Sequence, residues 1–269
     1  MNYAKRFIIM PGKKARLSER NPEDTADQKD KQAAAAQLTR NIERLAQLQY
    51  RFYAENQRSL LIVLQAMDGA GKDGTIRHVM SGLNPQSCHV TSFKAPSPVE
   101  RAHDFLWRIH RAVPATGEIG IFNRSHYEDV LVVRVHDLVP KSVWSRRYEQ
   151  INNFERHLTD NGTTILKFFL HISKDEQRRR LEDRLRDPNK NWKVNPADAE
   201  ERRYWDDYME AYEEVFRRCS AKYAPWFIIP ANKKWFRNLA VSSILVEALE
   251  RLNPQFPKPS ADLAKIKIR

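Results

Sequence analysis

The stretch AMDGAGKDG, residues 66–74, stands directly behind an apolar run, SLLIVLQA (59–66), and opens the helix-like segment GTIRHVMSGL. An uninterrupted apolar run with β-branched members, bounded by polar residues, reads as a strand buried on both faces, as in a parallel sheet. A glycine-rich turn from such a strand into a helix aims backbone N–H groups and the positive end of the helix at one point, which makes an anion site. This one junction restricts the chain to α/β architectures, where ligands bind beyond the carboxyl ends of the strands.

The turn departs from the usual phosphate-loop pattern G-x-x-x-x-G-K-[ST]. Gly71 and Lys72 are in place, but Ala66 replaces the first glycine, Asp73 replaces the hydroxyl residue, and Asp68 lies inside the loop. Main-chain N–H groups of Gly69, Ala70, Gly71 and Lys72 are expected to curl around a phosphate, with the Lys72 ammonium beside it. The two carboxylates need a reason. Two like charges about 4 Å apart repel by roughly 4 kcal/mol at an effective dielectric near 20. A Mg²⁺ ion bridging carboxylate and phosphate oxygens turns that cost into attraction. Asp68 is therefore a candidate metal ligand. Asp73 either acts through a coordinated water or is simply a favourable acid in a first helical turn.

The rest of the chain alternates. A helix is expected over 31–56, where Leu38, Ile42, Leu45, Leu48 and Phe52 recur at helical spacing. Strands are expected at 89–94, 117–125, 163–173 and 224–231. Helices are expected at 98–113, opened by a Ser97/Glu100 capping box, at 141–160, from Ser173 (again boxed, with Glu176) to about 186, and from an Asn232 cap to 252. Strands alternating with helices imply an α/β fold: a mostly parallel sheet with helices on both faces, a three-layer sandwich. Residues 1–30 read as an extended or loosely packed arm, 31–269 as a single domain, and the tail NPQFPKPS as extended.

Two further segments bear chemistry. FNRSHYEDV (122–130) follows a strand: Arg124 can grip a phosphate in two places, Asn123 takes a position where a metal-binding acid is expected, and Glu128 and Asp129 add carboxylates. Residues 178–208 are dense in Arg and Lys and twice broken by proline, the pattern of two helices joined by a mobile basic hairpin that closes over phosphates. Arg180, Arg184, Lys190, Lys193, Arg202 and Arg203 are its candidate cations, and Lys94 extends the positive track. Across the chain Lys+Arg exceed Asp+Glu by 46 − 34 = 12, which suits a polyanionic partner. No apolar run approaches a membrane span and no signal peptide is evident. Cys88 and Cys219 give no disulfide framework, so a reducing cytoplasm is expected.

The loop MDGAGKDGT, the segment FNRSHYEDV, the DP-K-WK lid and the RRYWDDY helix together resemble the polyphosphate kinase 2 family, over about residues 35–257. The resemblance implies a P-loop kinase core with a helical lid, and Mg²⁺-dependent, reversible transfer of the terminal phosphate of polyphosphate to AMP and ADP. It carries over Asp68 and Lys72 as loop residues, Arg124 as a phosphate ligand and Arg184 as a lid arginine; with the residues' own chemistry, Asp68, Lys72 and Arg124 are the catalytic candidates and Asp68 and Asp73 the metal-holding ones. Gly69, Ala70, Gly71, Lys72, Asp73, Lys94, Arg124, Arg184 and Lys193 would bind phosphate, and Asn123, Glu128, Asp129 and Arg203 the nucleotide. Glu128 resembles the subgroup that accepts both AMP and ADP, since many diphosphate-specific members have Asn there. Asn123 departs from the aspartate of many members, and His126 from a more usual tryptophan. A homo-oligomer is expected, with no membrane or nucleic-acid partner. The residues alone leave two other readings open: an ATP-dependent nucleotide or small-molecule kinase, against which the missing loop hydroxyl counts, and a basic nucleic-acid binder supported by charge alone.

Overall fold

A computed structural model describes residues 2–260. Its five strands are β1 (Ser59–Gln65), β2 (Cys88–Ser92), β3 (Ile119–Asn123), β4 (Thr163–His171) and β5 (Trp226–Pro230). They form one sheet in the order β2-β3-β1-β4-β5, with every pairing parallel. All seven residues of β1 are buried, as a central strand covered on both faces requires. The chain runs outward from β1 to β2, returns through β3, then crosses β1 to β4 and β5. The order therefore reverses beside β1, and the crevice above the ends of β1 and β3 is where this topology binds ligands.

One helical layer holds α2 (Lys31–Glu55), α3 (Lys72–Val79) and α11 (Lys234–Leu252), with the short α1 (Tyr3–Phe7) against α11. Asp30 starts α2 by accepting from the N–H groups of Gln32 and Ala33, and Leu45, Leu48 and Phe52 form part of its buried stripe. The other layer holds α6 (Val132–Val135), α7 (Lys141–Asp160) and α10 (Trp205–Cys219). Between β2 and β3 lie α4 (Pro98–Arg101) and α5 (Trp107–His110), and α8 (Lys174–Arg186) and α9 (Pro196–Glu201) follow β4. Among the described residues no helix is long and apolar enough to cross a membrane.

Four local expectations are corrected. The first thirty residues are not loosely packed: Phe7, Ile9, Ala15, Leu17 and Ala26 are buried. The segment closes the free edge of β5, with Ile8 bridging Phe227 and the Ile9 N–H donating to Trp226 O at 2.8 Å. The helix expected over 98–113 breaks into α4 and α5, because Asp104 accepts from the Leu106 N–H and makes a side-chain turn between them; its Ser97/Glu100 box does form. The second box is only half made: Ser173 Oγ accepts from Glu176 N–H, but Glu176 turns to Arg179 and Arg180. Asn232 does not cap α11. Its Oδ1 accepts from the Ser173 N–H at 3.0 Å and ties the end of β5 to the start of α8.

Candidate active site

The loop after β1 is built from two left-handed glycines, Gly69 (φ +83°) and Gly71 (φ +104°), and Gly71 caps α3. Two buried arginines tie it from behind. Arg180 of α8 donates to the carbonyls of Gly69 (3.1 Å) and Ala70 (2.9 Å), and Arg237 of α11 donates to Ala70 O at 3.2 Å. A Cβ on Gly71 would lie 2.0 Å from Arg237 Nη1, so only glycine fits there. The cradle differs from expectation in one donor: the Ala70 N–H turns inward to Met67 O at 3.2 Å. The main-chain donors left for an anion are those of Gly69, Gly71 and Lys72, at the positive end of α3.

Three charges meet on the floor of the crevice. Register pairs Leu64 of β1 with Asn123 of β3, and the Arg124 N–H bonds to Leu64 O at 3.0 Å, which brings the two strand ends together. Asp68 Oδ1 then accepts from Arg124 Nη2 at 2.7 Å and lies 3.6 Å from Lys72 Nζ. Arg124 itself has φ +62°, a left-handed backbone rarely tolerated outside glycine and often kept at functional positions. Burial pushes the Asp68 carboxyl up, but the charges of Lys72 and Arg124 outweigh it and hold the group below the ordinary aspartate range. Burial draws the Lys72 ammonium down from its ordinary range, opposed by the charge of Asp68. Lys72 Nζ also donates to Ala66 O at 3.0 Å. On the rim, Asn123 Nδ2 donates to Asp73 Oδ1 at 2.8 Å, so Asn123 is engaged with the helix-opening acid.

A cleft of about 900 Å³ rises from this floor. Asp68, Gly69, Gly71, Lys72, Asp73 and Asn123 line it, as do Arg124, Lys94 at the end of β2, and Arg184 and Lys193 from the segment after β4. Of the other lid candidates, Lys190 lines the cleft beside Asp187, its salt-bridge partner. Arg180 also lines the cleft, with its guanidinium bound to four main-chain carbonyls, whereas Arg202 lies outside the wall and is bound to Lys174 O and Gln177 Oε1. Trp192, at the tip, is 78 % exposed, with the Lys193 ammonium 4.9 Å from its ring centre.

The structure does not bring Glu128, Asp129 and Arg203 into the wall of this cleft, and Ala70 contributes its carbonyl to the loop's support instead. Glu128 Oε2 lies 3.9 Å from Arg124 Nη1. Asp129 is paired with Arg147 at 2.9 Å, and burial still pushes its carboxyl up to about 6. Arg203 is exposed and faces Glu200. Sequence reasoning missed Arg237 and Asp198. Arg237 lines the cleft with no carboxylate within salt-bridge distance among the described residues, and burial, with Arg180 nearby, lowers its pKa to about 9. The available signal was a lone arginine within the apolar run WFRNLAVSSI. Asp198 of α9 meets Arg184 at 3.4 Å; nothing in its polar surroundings distinguished it.

Below the FNRSHYEDV turn lies a fully buried polar cluster. Glu155 of α7 accepts from Tyr127 Oη at 2.8 Å and from Lys167 Nζ, and lies 3.1 Å from His126 Nε2. The cluster anchors the turn that presents Arg124, and accounts for His126 as a buried partner of Glu155.

Comparison with known proteins follows the same lines. A sequence model described as polyphosphate kinase 2 matches residues 28–257. The chain is 55% identical over 265 residues to the AMP/ADP-polyphosphate phosphotransferase of Meiothermus ruber, covering 98% of this chain and 99% of that one. It is 52% identical over 233 residues to the ADP-polyphosphate phosphotransferase of Rhodopseudomonas palustris, covering 82% and 81% of the two chains. Its structure is similar to the crystal structure of polyphosphate kinase 2 from Arthrobacter aurescens TC1, with a TM-score of 0.94 and 45% identity over 98% of this chain and 94% of that one.

Proposed function

This chain belongs to the polyphosphate kinase 2 family, and on that footing we propose that it transfers the terminal phosphate of inorganic polyphosphate to AMP and ADP, reversibly. The observation that carries the site assignment is Asp68 held between Arg124 and Lys72 on the floor of a cleft lined by cations from the loop, from β2 and from the segment after β4. A polymeric phosphate brings negative charge on every unit, more than one loop lysine neutralises, and this wall supplies the rest.

Asp68 is ionised at neutral pH and therefore a weak base. The acceptor needs no strong one, because a phosphate monoester has a second pKa near 6 and is already largely dianionic. The work left for the protein is alignment and charge stabilisation. Arg124 spans Asp68 and the approaching phosphate, Lys72 and the Gly69, Gly71 and Lys72 N–H groups hold the transferring one, and Arg184 and Lys193 cover it from outside. Glu128, outside the cleft wall but 3.9 Å from Arg124 Nη1, is read through Arg124 as favouring AMP alongside ADP.

The donor set suits a divalent cation, read here as Mg²⁺. Among the described residues no cluster of three or more His, Cys, Asp or Glu forms a closed cage. Mg²⁺ commonly takes one or two carboxylates and completes its shell with water and substrate phosphates. Asp68, with Asp73 at the rim, would hold it, and it would neutralise phosphate oxygens. By the family likeness the protein is further read as a cytoplasmic homo-oligomer with neither membrane nor nucleic acid as partner.

The test is direct. Protein incubated with AMP or with ADP, a divalent cation and long-chain polyphosphate yields ADP and ATP, and Asp68→Asn does not. Transfer that requires ATP as donor would assign the site to an ordinary nucleotide kinase instead.

A further inference from the structure

Gln177 of α8 is 1 % exposed, and its one amide joins two parts of the site. Its Nε2 donates to the main-chain carbonyl of Asp68 at 2.8 Å. Its Oε1 accepts from Arg202 Nη1 at 2.7 Å, immediately beyond the end of α9. The amide orientation is fixed by its partners, since a carbonyl only accepts and a guanidinium only donates. Gln177 also packs under the loop: a Cβ on Gly69 would lie 3.5 Å from Gln177 Cγ. The neighbouring residue anchors the same point elsewhere, with Glu201 3.0 Å from His136 Nε2 and accepting from Tyr208 Oη at 2.8 Å. The returning limb of the basic hairpin, α9, is thus fastened at Glu201 to His136 and Tyr208 and at Arg202, through Gln177, to the loop that carries Asp68.

We infer that Gln177 is a positioning residue that couples the seating of the 187–201 hairpin to the orientation of Asp68, so that the acid is aligned with Arg124 and Lys72 only when the hairpin is docked. This rests on the proposed phosphotransfer. The coupling follows from hydrogen-bond chemistry. With Arg202 in place the Gln177 oxygen is held, its N–H points at Asp68 O, and the carbonyl fixes the peptide on which the Asp68 side chain is mounted. With Arg202 withdrawn, a buried amide loses one partner and is free to rotate, and the restraint on Asp68 goes with it. A small misplacement at a reacting centre is costly: about 1 Å can mean about a hundredfold in rate.

The experiment is a double-mutant cycle on Gln177→Leu and Arg202→Gln, with Gln177→Glu as a third variant. Rates with polyphosphate and AMP are read beside hydrogen exchange of residues 187–201 and thermal melting. Gln177→Glu keeps an acceptor for Arg202 and loses the donor to Asp68. It is expected to lower kcat about tenfold, with the KM for polyphosphate within about twofold and hairpin exchange unchanged. Arg202→Gln is expected to lower kcat similarly and to speed hairpin exchange as well. The double variant is expected to be no slower than the worse single one, because both break one relay. Multiplicative rate losses in the double variant would overturn the inference. So would a Gln177→Glu protein that matches the parent, or one in which kcat falls only in step with melting temperature. A parent protein with no polyphosphate-dependent transfer would refute the proposed function itself, a separate and recognisable outcome.

Discussion

Arg180 and Arg237, from helices at opposite ends of the sequence order around β5, donate to the same atom, the carbonyl oxygen of Ala70, at 2.9 and 3.2 Å. The phosphate loop is therefore shaped from behind by two guanidinium groups, and Gly71 is the position that lets Arg237 approach. Gly71→Ala adds a methyl 2.0 Å from Arg237 Nη1 in a backbone of φ +104°. The left-handed conformation alone costs about 1–2 kcal/mol, and the displaced arginine adds to it. Urea unfolding should show a loss of at least that size, with transfer activity reduced more than a hundredfold.

The buried cluster under Arg124 gives a sharper energetic test. Lys167 and Glu155 are fully buried and face each other. Burial raises the Glu155 carboxyl, and Lys167, with His126, outweighs that and keeps it low. Lys167→Met strands the carboxylate and should cost about 3–5 kcal/mol. Adding Glu155→Gln to it should recover part of the loss, as measured by denaturant midpoints of the three proteins.

Asp129 supplies a pH signature. Burial, opposed by Arg147, raises its folded pKa to about 6, above the ordinary aspartate value. The folded state then binds more protons than the unfolded one between about pH 4 and 6, so this group's contribution to stability falls as pH rises through that window. Asp129→Asn mimics the neutral form. The difference in stability between Asp129→Asn and the parent should grow from pH 4 to pH 6 by roughly 1–3 kcal/mol and then level off, measured by unfolding at several pH values.

Glu128, 3.9 Å from Arg124, is the residue proposed to set acceptor choice. Glu128→Asn should reduce transfer to AMP about tenfold or more while leaving transfer to ADP within a few fold. Initial rates with each nucleotide at fixed polyphosphate decide it.

The sheet and the floor of the site were legible because their signals are local. The apolar run of β1, the glycines behind it and Arg124 one residue past β3 each declare a strand end, and parallel order brings those ends together. Residues whose meaning depends on a distant partner were not legible. Arg180 and Arg202 look like mobile lid cations in a basic segment, yet main-chain carbonyls 110 residues and 28 residues away claim them. Arg237 shows in the sequence only as a lone arginine in an apolar run, because its partner is a carbonyl in a loop 167 residues earlier. Asn232 and Glu176 carry good capping chemistry, but tertiary partners outbid the local ones. The first thirty residues look polar because few apolar side chains, Phe7 and Ile9 among them, are needed to seal one sheet edge.

Asp68, clamped by Arg124 and Lys72, is proposed to serve transfer from a polymeric phosphate donor. The most direct measurement compares initial rates of ADP formation from AMP with long-chain polyphosphate and with ATP as donor, for the parent and for Asp68→Asn. Polyphosphate should be the better donor by at least about tenfold, and Asp68→Asn should lower that rate more than a hundredfold while the protein stays folded. ATP outperforming polyphosphate, or a folded Asp68→Asn protein as active as the parent, would contradict the account.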